Sequence, residues 1–132
     1  MSLAEIPVVT LDGVPSGNAE ALVREIETLL DSLLRTGEGG TIDLRSLPLS
    51  APDREALRAR LGQGEVDIRM DLAGLSSIHE TGVPGVWWIA HRDPAGQLVS
   101  EFIEVAYSPD LIAVDPDDVE SGLAHLRASR TD

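Results

Sequence analysis

The stretch SSIHETGVPGVWWIAHRD, residues 76–93, holds two of the three histidines, both tryptophans and a Gly-Val-Pro-Gly run. It reads either as a catalytic or metal site, or as a strand whose aromatics fill a core or meet a partner. His79-Glu80 opens like the zinc-protease helix motif, but the second histidine would fall at Val83. Gly82, Pro84 and Gly85 would also break the helix that sets two imidazoles on one face. The strand reading is the better one. Adjacent strand residues point to opposite faces, so one of Trp87 and Trp88 enters the core while the other meets helices, solvent or a partner. Both are covered within the domain, or one is an interface anchor of the kind tryptophan often supplies. Gly82, Pro84 and Gly85 read as a bulge or bend that re-aims the chain.

Working outward, GVWWIAH is apolar on both faces, which predicts a central strand or one at an interface. DPAG then supplies a turn, and LVSEFIEVAY returns as the hairpin partner. Upstream, EVDIRMDLA alternates cleanly: Val66, Ile68, Met70 and Leu72 face inward, and Asp67, Arg69 and Asp71 face out. A short helix precedes it, with Ser50 as N-cap, Pro52 in the first turn, Asp53 at N3 and Gly62 as stop. Its core face is thin, mainly Ala56, Leu57 and Leu61. TIDLRSL before it is a half-buried strand. The first helix spans about Asn18 to Thr36, with Leu22, Ile26, Leu29, Leu30 and Leu33 on one face and Gly37 after its end. Glu20–Arg24 and Asp31–Arg35 are spaced as i,i+4 pairs on its wet side. Gly39 reads as a turn residue that would tolerate a side chain. The last helix starts with Asp115 as N-cap and Pro116 at N1, and carries the stripe Val119, Leu123 and Leu126.

The order α-β-α-β-β-β-α predicts an α+β single domain over residues 18–128. A four-stranded antiparallel or mixed sheet carries helices largely on one face. Residues 1–17 form an N-terminal extended segment and 129–132 a tail. The length of 132 residues suits one core, able to bury roughly 65–70% of the unfolded surface without metal or disulfide.

Composition narrows the chemistry. There is no cysteine, which excludes disulfides, thiolate catalysis and iron–sulfur clusters on this chain's own thiolates. All ten basic residues are arginines, and the net charge is −13. That field repels phosphate backbones, so neither nucleic acid nor an anionic membrane is an expected partner. The start MSLAEIPVVT lacks the basic residues and apolar run of a signal peptide, and the expectation is a soluble cytoplasmic protein. No serine sits in a Gly-x-Ser-x-Gly elbow, and no glycine loop with lysine cradles a phosphate. Asp67, Asp71, Glu101 and Glu104 read as a solvated acidic face. A metal site would need His79 and His91, with Glu101 or Glu104 from the hairpin partner. Full extension sets those histidines about 40 Å apart, so only a sharp bend at Gly82–Gly85 would join them. No cofactor is expected.

The blocks LGQGEVDIRM and SSIHETGVPGVWWIAHRDPAGQLVSEFIEVAYSPDLI, with TIDLRSLPL upstream, resemble the hydrogenase expression/formation family of HupH and HyaF type, in its C-terminal conserved region. The resemblance covers about residues 20 to 128. Its specific parts are Gly64-Glu65-Val66, Glu80-Thr81, Pro84-Gly85-Val86-Trp87-Trp88, Ile103-Glu104-Val105 and Pro109. It implies an accessory role in maturing nickel–iron hydrogenase, chaperoning a hydrogenase subunit during cluster assembly or complex formation. Longer members read as two such regions in tandem, whereas this chain has one. Self-pairing into a homodimer would restore that arrangement.

The expectation is therefore a non-enzymatic assembly factor that binds a hydrogenase subunit or another accessory protein. Glu80, Trp87, Trp88, His91, Glu101 and Glu104 are the expected contact residues. The rival is a small metal-dependent or acid–base enzyme using His79, Glu80, His91 and Glu104.

Overall fold

A computed structural model describes residues 17–71 and 73–131. The expected N-terminal segment and Leu72 lie, but for Gly17, outside the described residues. Helix α1 (Asn18–Thr36) leads to strand β1 (Gly40–Asp43), a 3₁₀ turn (Leu44–Ser46) and helix α2 (Ala51–Leu61). Strands β2 (Asp67–Asp71), β3 (Leu75–Glu80), β4 (Val86–Arg92) and β5 (Leu98–Val105) follow. A second 3₁₀ turn (Asp110–Ile112) and helix α3 (Pro116–Ala128) complete the chain. The architecture is α+β, as expected, but the sheet has five strands in the order β1-β5-β4-β3-β2. Every pairing is antiparallel.

The additional strand is β3. Its sequence LSSIHE carries two serines and one buried aliphatic, so neither alternation nor an apolar run announces it. Its pairing with β4 makes Thr81–Gly85 the turn of a hairpin rather than a bend within one strand. The apolar GVWWIAH segment forms β4, the middle strand, as its two apolar faces require.

One face is roofed by α1 and α2. Ala19, Leu22, Val23, Ile26 and Leu33 of α1 and Leu57 and Leu61 of α2 close over Ile42, Val86, Trp88, Ile103 and Val105. Leu29 and Leu30 pack at the margin of this core. Helix α1 ends at Gly37, where φ is 82° and the N–H bonds the Leu33 carbonyl. Only glycine takes that conformation without cost. Helix α2 starts with a complete capping box between Ser50 and Asp53, both bonds at 3.1 Å. The box buries Asp53 with its partners in place, and the core residues of α2 are Leu57 and Leu61. Ala56 is exposed. Asp31 and Arg35 form the expected pair at 2.8 Å, whereas Glu20 pairs with Arg60 of α2 instead of Arg24.

The reverse face is thinner. Ile78, Trp87 and Ile89 are buried there, with Ile68, Met70, Phe102 and Leu111 partly so. Leu111 comes from the second 3₁₀ turn, and among the described residues no helix covers this face. Helix α3 forms from Asp115 onward as the capping pattern predicts. All thirteen of its residues are exposed, the stripe Val119, Leu123 and Leu126 included.

Candidate functional site

The β3–β4 turn is tied in three directions. The Thr81 hydroxyl donates to the Val86 carbonyl at 2.9 Å and accepts the Val83 N–H at 3.1 Å. Gly82 N–H bonds the Leu61 carbonyl at the end of α2, and Ala106 N–H bonds the Gly85 carbonyl. Gly85 has φ 91°, the conformation for which the Gly-Val-Pro-Gly run supplies a glycine.

This turn throws Trp87 and Trp88 to opposite faces, and both are covered, at 7% and 4% exposure. Trp87 Nε1 donates to the Ala106 carbonyl at 3.0 Å on the reverse face. Trp88, on the roofed face, donates its Nε1 to Glu101 Oε2 at 2.9 Å. Neither indole is a free anchor. Glu101 also receives Arg54 and Arg58 from α2, one helical turn apart. The Arg58 guanidinium carbon lies 4.3 Å above the centre of the Trp88 ring, a cation–π contact that locks the indole in place. Glu101 is thus the centre of a buried polar cluster and not part of a solvated acidic face. Two arginines four apart on a helix with a thin apolar face were the available signal for it.

Beside this cluster lies an open groove of about 480 Å³, lined by Arg58, Gly62, Gln63, His79, Glu80 and Trp88 among others. Glu80 holds its entrance loop, accepting the backbone N–H groups of Glu65 and Val66 at 3.1 and 3.3 Å on Oε1. His79 Nδ1 stands 3.2 Å from Asp67 Oδ1 on the neighbouring edge strand. The groove has an aromatic and glycine floor with charged groups at its rim, a form suited to a side chain or loop of a partner.

On the reverse face His91 Nδ1 lies 2.5 Å from the Ser76 hydroxyl, and its ring tilts against Phe102 with centroids 6.0 Å apart. Ser76 sits within a regular strand rather than on a strained turn, and the pair serves to orient the imidazole. Glu104 is buried and accepts the Asp110 N–H at 3.1 Å. Burial raises its pKa and the Asp110 charge adds to that, while the bond from the Asp110 backbone lowers it. Asp67 and Asp71 alone of the expected acidic face are exposed.

The hairpin does bring the histidine-bearing strands side by side, yet on opposite faces. His79 pairs with Trp88 on the roofed side, and His91 packs with Phe102 on the other, where Glu104 also lies. His79, Glu80, His91 and Glu104 therefore do not converge. Among the described residues no three His, Asp or Glu side chains are grouped to hold a metal ion.

The family model described as the HupH hydrogenase expression protein, C-terminal conserved region, matches residues 17–131. The chain belongs to this family. It is 29% identical over 107 residues to the hydrogenase expression/formation protein HoxQ of Azotobacter vinelandii, covering 77% of this chain and 38% of that one. The hydrogenase-1 operon protein HyaF of Escherichia coli strain K12 is 32% identical over 86 residues, covering 65% of this chain and 30% of HyaF. The chain thus spans about a third of the length of these curated relatives. The solved structure of the hydrogenase expression protein HupH from Thiobacillus denitrificans ATCC 25259 superposes with a TM-score of 0.82 at 48% identity. That similarity covers 87% of this chain and 96% of the other, so one HupH region stands there as a structure of its own. Among the described residues no helix is long and apolar enough to cross a membrane.

Proposed function

We propose that this protein is a non-enzymatic assembly factor for nickel–iron hydrogenase, acting in the cytoplasm by binding a hydrogenase subunit or another maturation protein. The observation that carries this reading is the family match over residues 17–131, together with relatives named for hydrogenase expression and formation. The groove beside Trp88 supports a binding role. Its floor is held rigid by Glu101 and Arg58, so a partner would order little of it on docking. The charge of −13 favours a basic partner surface and steers its approach.

Affinity capture from cells expressing the hydrogenase tests this directly. Ala59, exposed on α2 and lining the groove, is changed to Glu, which fills the groove and leaves the core alone. The wild type is expected to recover a hydrogenase subunit or maturation protein, and Ala59→Glu at least about tenfold less, a loss of about 1.4 kcal/mol. Recovery of neither by the wild type would sink the binding role. Equal recovery by both would remove the groove from it.

A further inference from the structure

The two buried carboxylates of β5 are provided for differently. Glu101 is met by an arginine stacked on an aromatic ring, Arg58 over Trp88, with Arg54 beside it. Glu104, 5% exposed, accepts one backbone N–H, from Asp110, on Oε2. Its other oxygen has no hydrogen-bond partner among the described residues. No side-chain oxygen there is both unpartnered and sealed from solvent, so this one opens on the grooves that Glu104 borders. The larger groove, of about 500 Å³, runs between the end of α1, the start of β1 and the segment after β5. A second, of about 330 Å³, is bordered by His91 and Leu111 and meets it at Thr41, Glu104 and Asp110. Tyr107 stands at the rim of the larger groove, its hydroxyl donating to the Leu33 carbonyl at 3.3 Å. That bond fixes the ring while the residue stays 67% exposed. From these we infer that a partner protein seats an arginine in this groove, its guanidinium against the Tyr107 ring and paired with Glu104 and Asp110.

The arrangement repeats the one at Glu101, with the arginine supplied from outside. A planar guanidinium takes carboxylates through paired N–H donors and lies flat on an aromatic ring, which suits it better than an ammonium. Glu38 also lines the groove, as does the C-terminal end of α1, where the helix dipole is negative. Burial raises the Glu104 pKa, so its charge is costly until a cation lies beside it. Among the described residues Glu104 has no ion pair and no basic residue lines the larger groove. Residues 1–16, Leu72 and Asp132 contain no arginine, lysine or histidine to fill that place. Arg35, in the last turn of α1, is paired with Asp31 instead. A chain of −13 draws a basic partner and repels its own copy. The groove shares no lining residue with the one beside Trp88.

Titration of the full chain with acetyl-Gly-Arg-Gly-amide, followed by NMR, tests the inference. The backbone signals of Gly39, Thr41 and Asp110 and the ring of Tyr107, the single tyrosine, are expected to shift with a millimolar Kd. The matching lysine peptide should bind at least about threefold more weakly. Glu104→Gln keeps an acceptor for the Asp110 N–H, and Tyr107→Ala lies outside the core. Each should fold as the wild type does and bind the arginine peptide at least about threefold more weakly. No shift in the wild type overturns the inference, as does equal binding of the two peptides or of the wild type and both variants. Shifts spread over the whole acidic surface overturn it too. Concentration-dependent shifts of the same signals without peptide would give the groove to a second copy and overturn the partner. The peptide carries no hydrogenase sequence, so its result is independent of the capture experiment.

Discussion

On the roofed face of the sheet, Val86, Trp88, Ile103 and Val105 meet two helices, and a buried carboxylate there is answered by two arginines and an indole N–H. On the reverse face, the same central strands contribute Trp87, Ile89 and Phe102, and among the described residues Leu111 of one short turn packs against them. Strand alternation distributes apolar residues to both faces evenly. What differs is the supply of covering elements. α1 and α2 flank β1 in the sequence and roof one side, whereas every residue of α3, which follows β5, is exposed. The larger core of this domain lies on the roofed face, and a smaller buried cluster lies on the other.

Loss of core on the roofed face should cost most. Leu57 is fully buried, and Leu57→Ala is expected to destabilise by about 3–4 kcal/mol in urea unfolding. Leu111→Ala on the reverse face should cost under about 1.5 kcal/mol, since that side chain is half-buried. Equal losses would mean that the two faces are packed alike. Glu101→Ala comes next, at about 2–3 kcal/mol, because it strands Arg54, Arg58 and the Trp88 N–H together. Trp88 fluorescence should shift with it, and an unchanged spectrum would show that the cluster does not hold the indole.

The smallest effect belongs to Glu104 on the reverse face. Its folded pKa is raised, so the folded state keeps the proton longer than the unfolded chain does. Stability is then fullest below the ordinary carboxylate range and falls as pH rises from there through the folded value. Glu104→Gln should remove that fall while keeping an acceptor for the Asp110 N–H. The variant should gain on the wild type in thermal melts as pH rises above the ordinary carboxylate range; a gap constant with pH would mean that Glu104 carries no such linkage.

Much of this comparison was legible in the sequence, and the unread parts share a cause. α1, α2, α3, β4 and β5 announce themselves by periodicity, caps and turn residues, which are local signals. β3 does not, because its place depends on hydrogen bonds to β4 rather than on its own pattern. Glu101 and Glu104 likewise look like surface carboxylates until the arginines of α2 and the backbone of Asp110 are brought to them. Gly39 reads as a turn glycine, yet a Cβ there would run into the Val105 carbonyl oxygen, a close approach between segments distant in sequence. Of the expected contact residues, Trp87, Trp88, Glu101 and Glu104 are buried, and Glu80 and His91 border the two grooves.

The outer strand β2 has a further consequence. Its DIRMD sequence sets Asp67, Arg69 and Asp71 along the free edge of the sheet, at alternate positions. An unpaired edge offers backbone donors and acceptors to any extended chain, and five strands with an apolar face would otherwise invite stacking into fibrils. Three charges within five residues make an incoming strand desolvate at least one of them. The opposite edge is only four residues long, and Arg45 just beyond it donates to the Leu98 and Val99 carbonyls of β5. Both edges of the sheet are therefore guarded against polymerising through its sides.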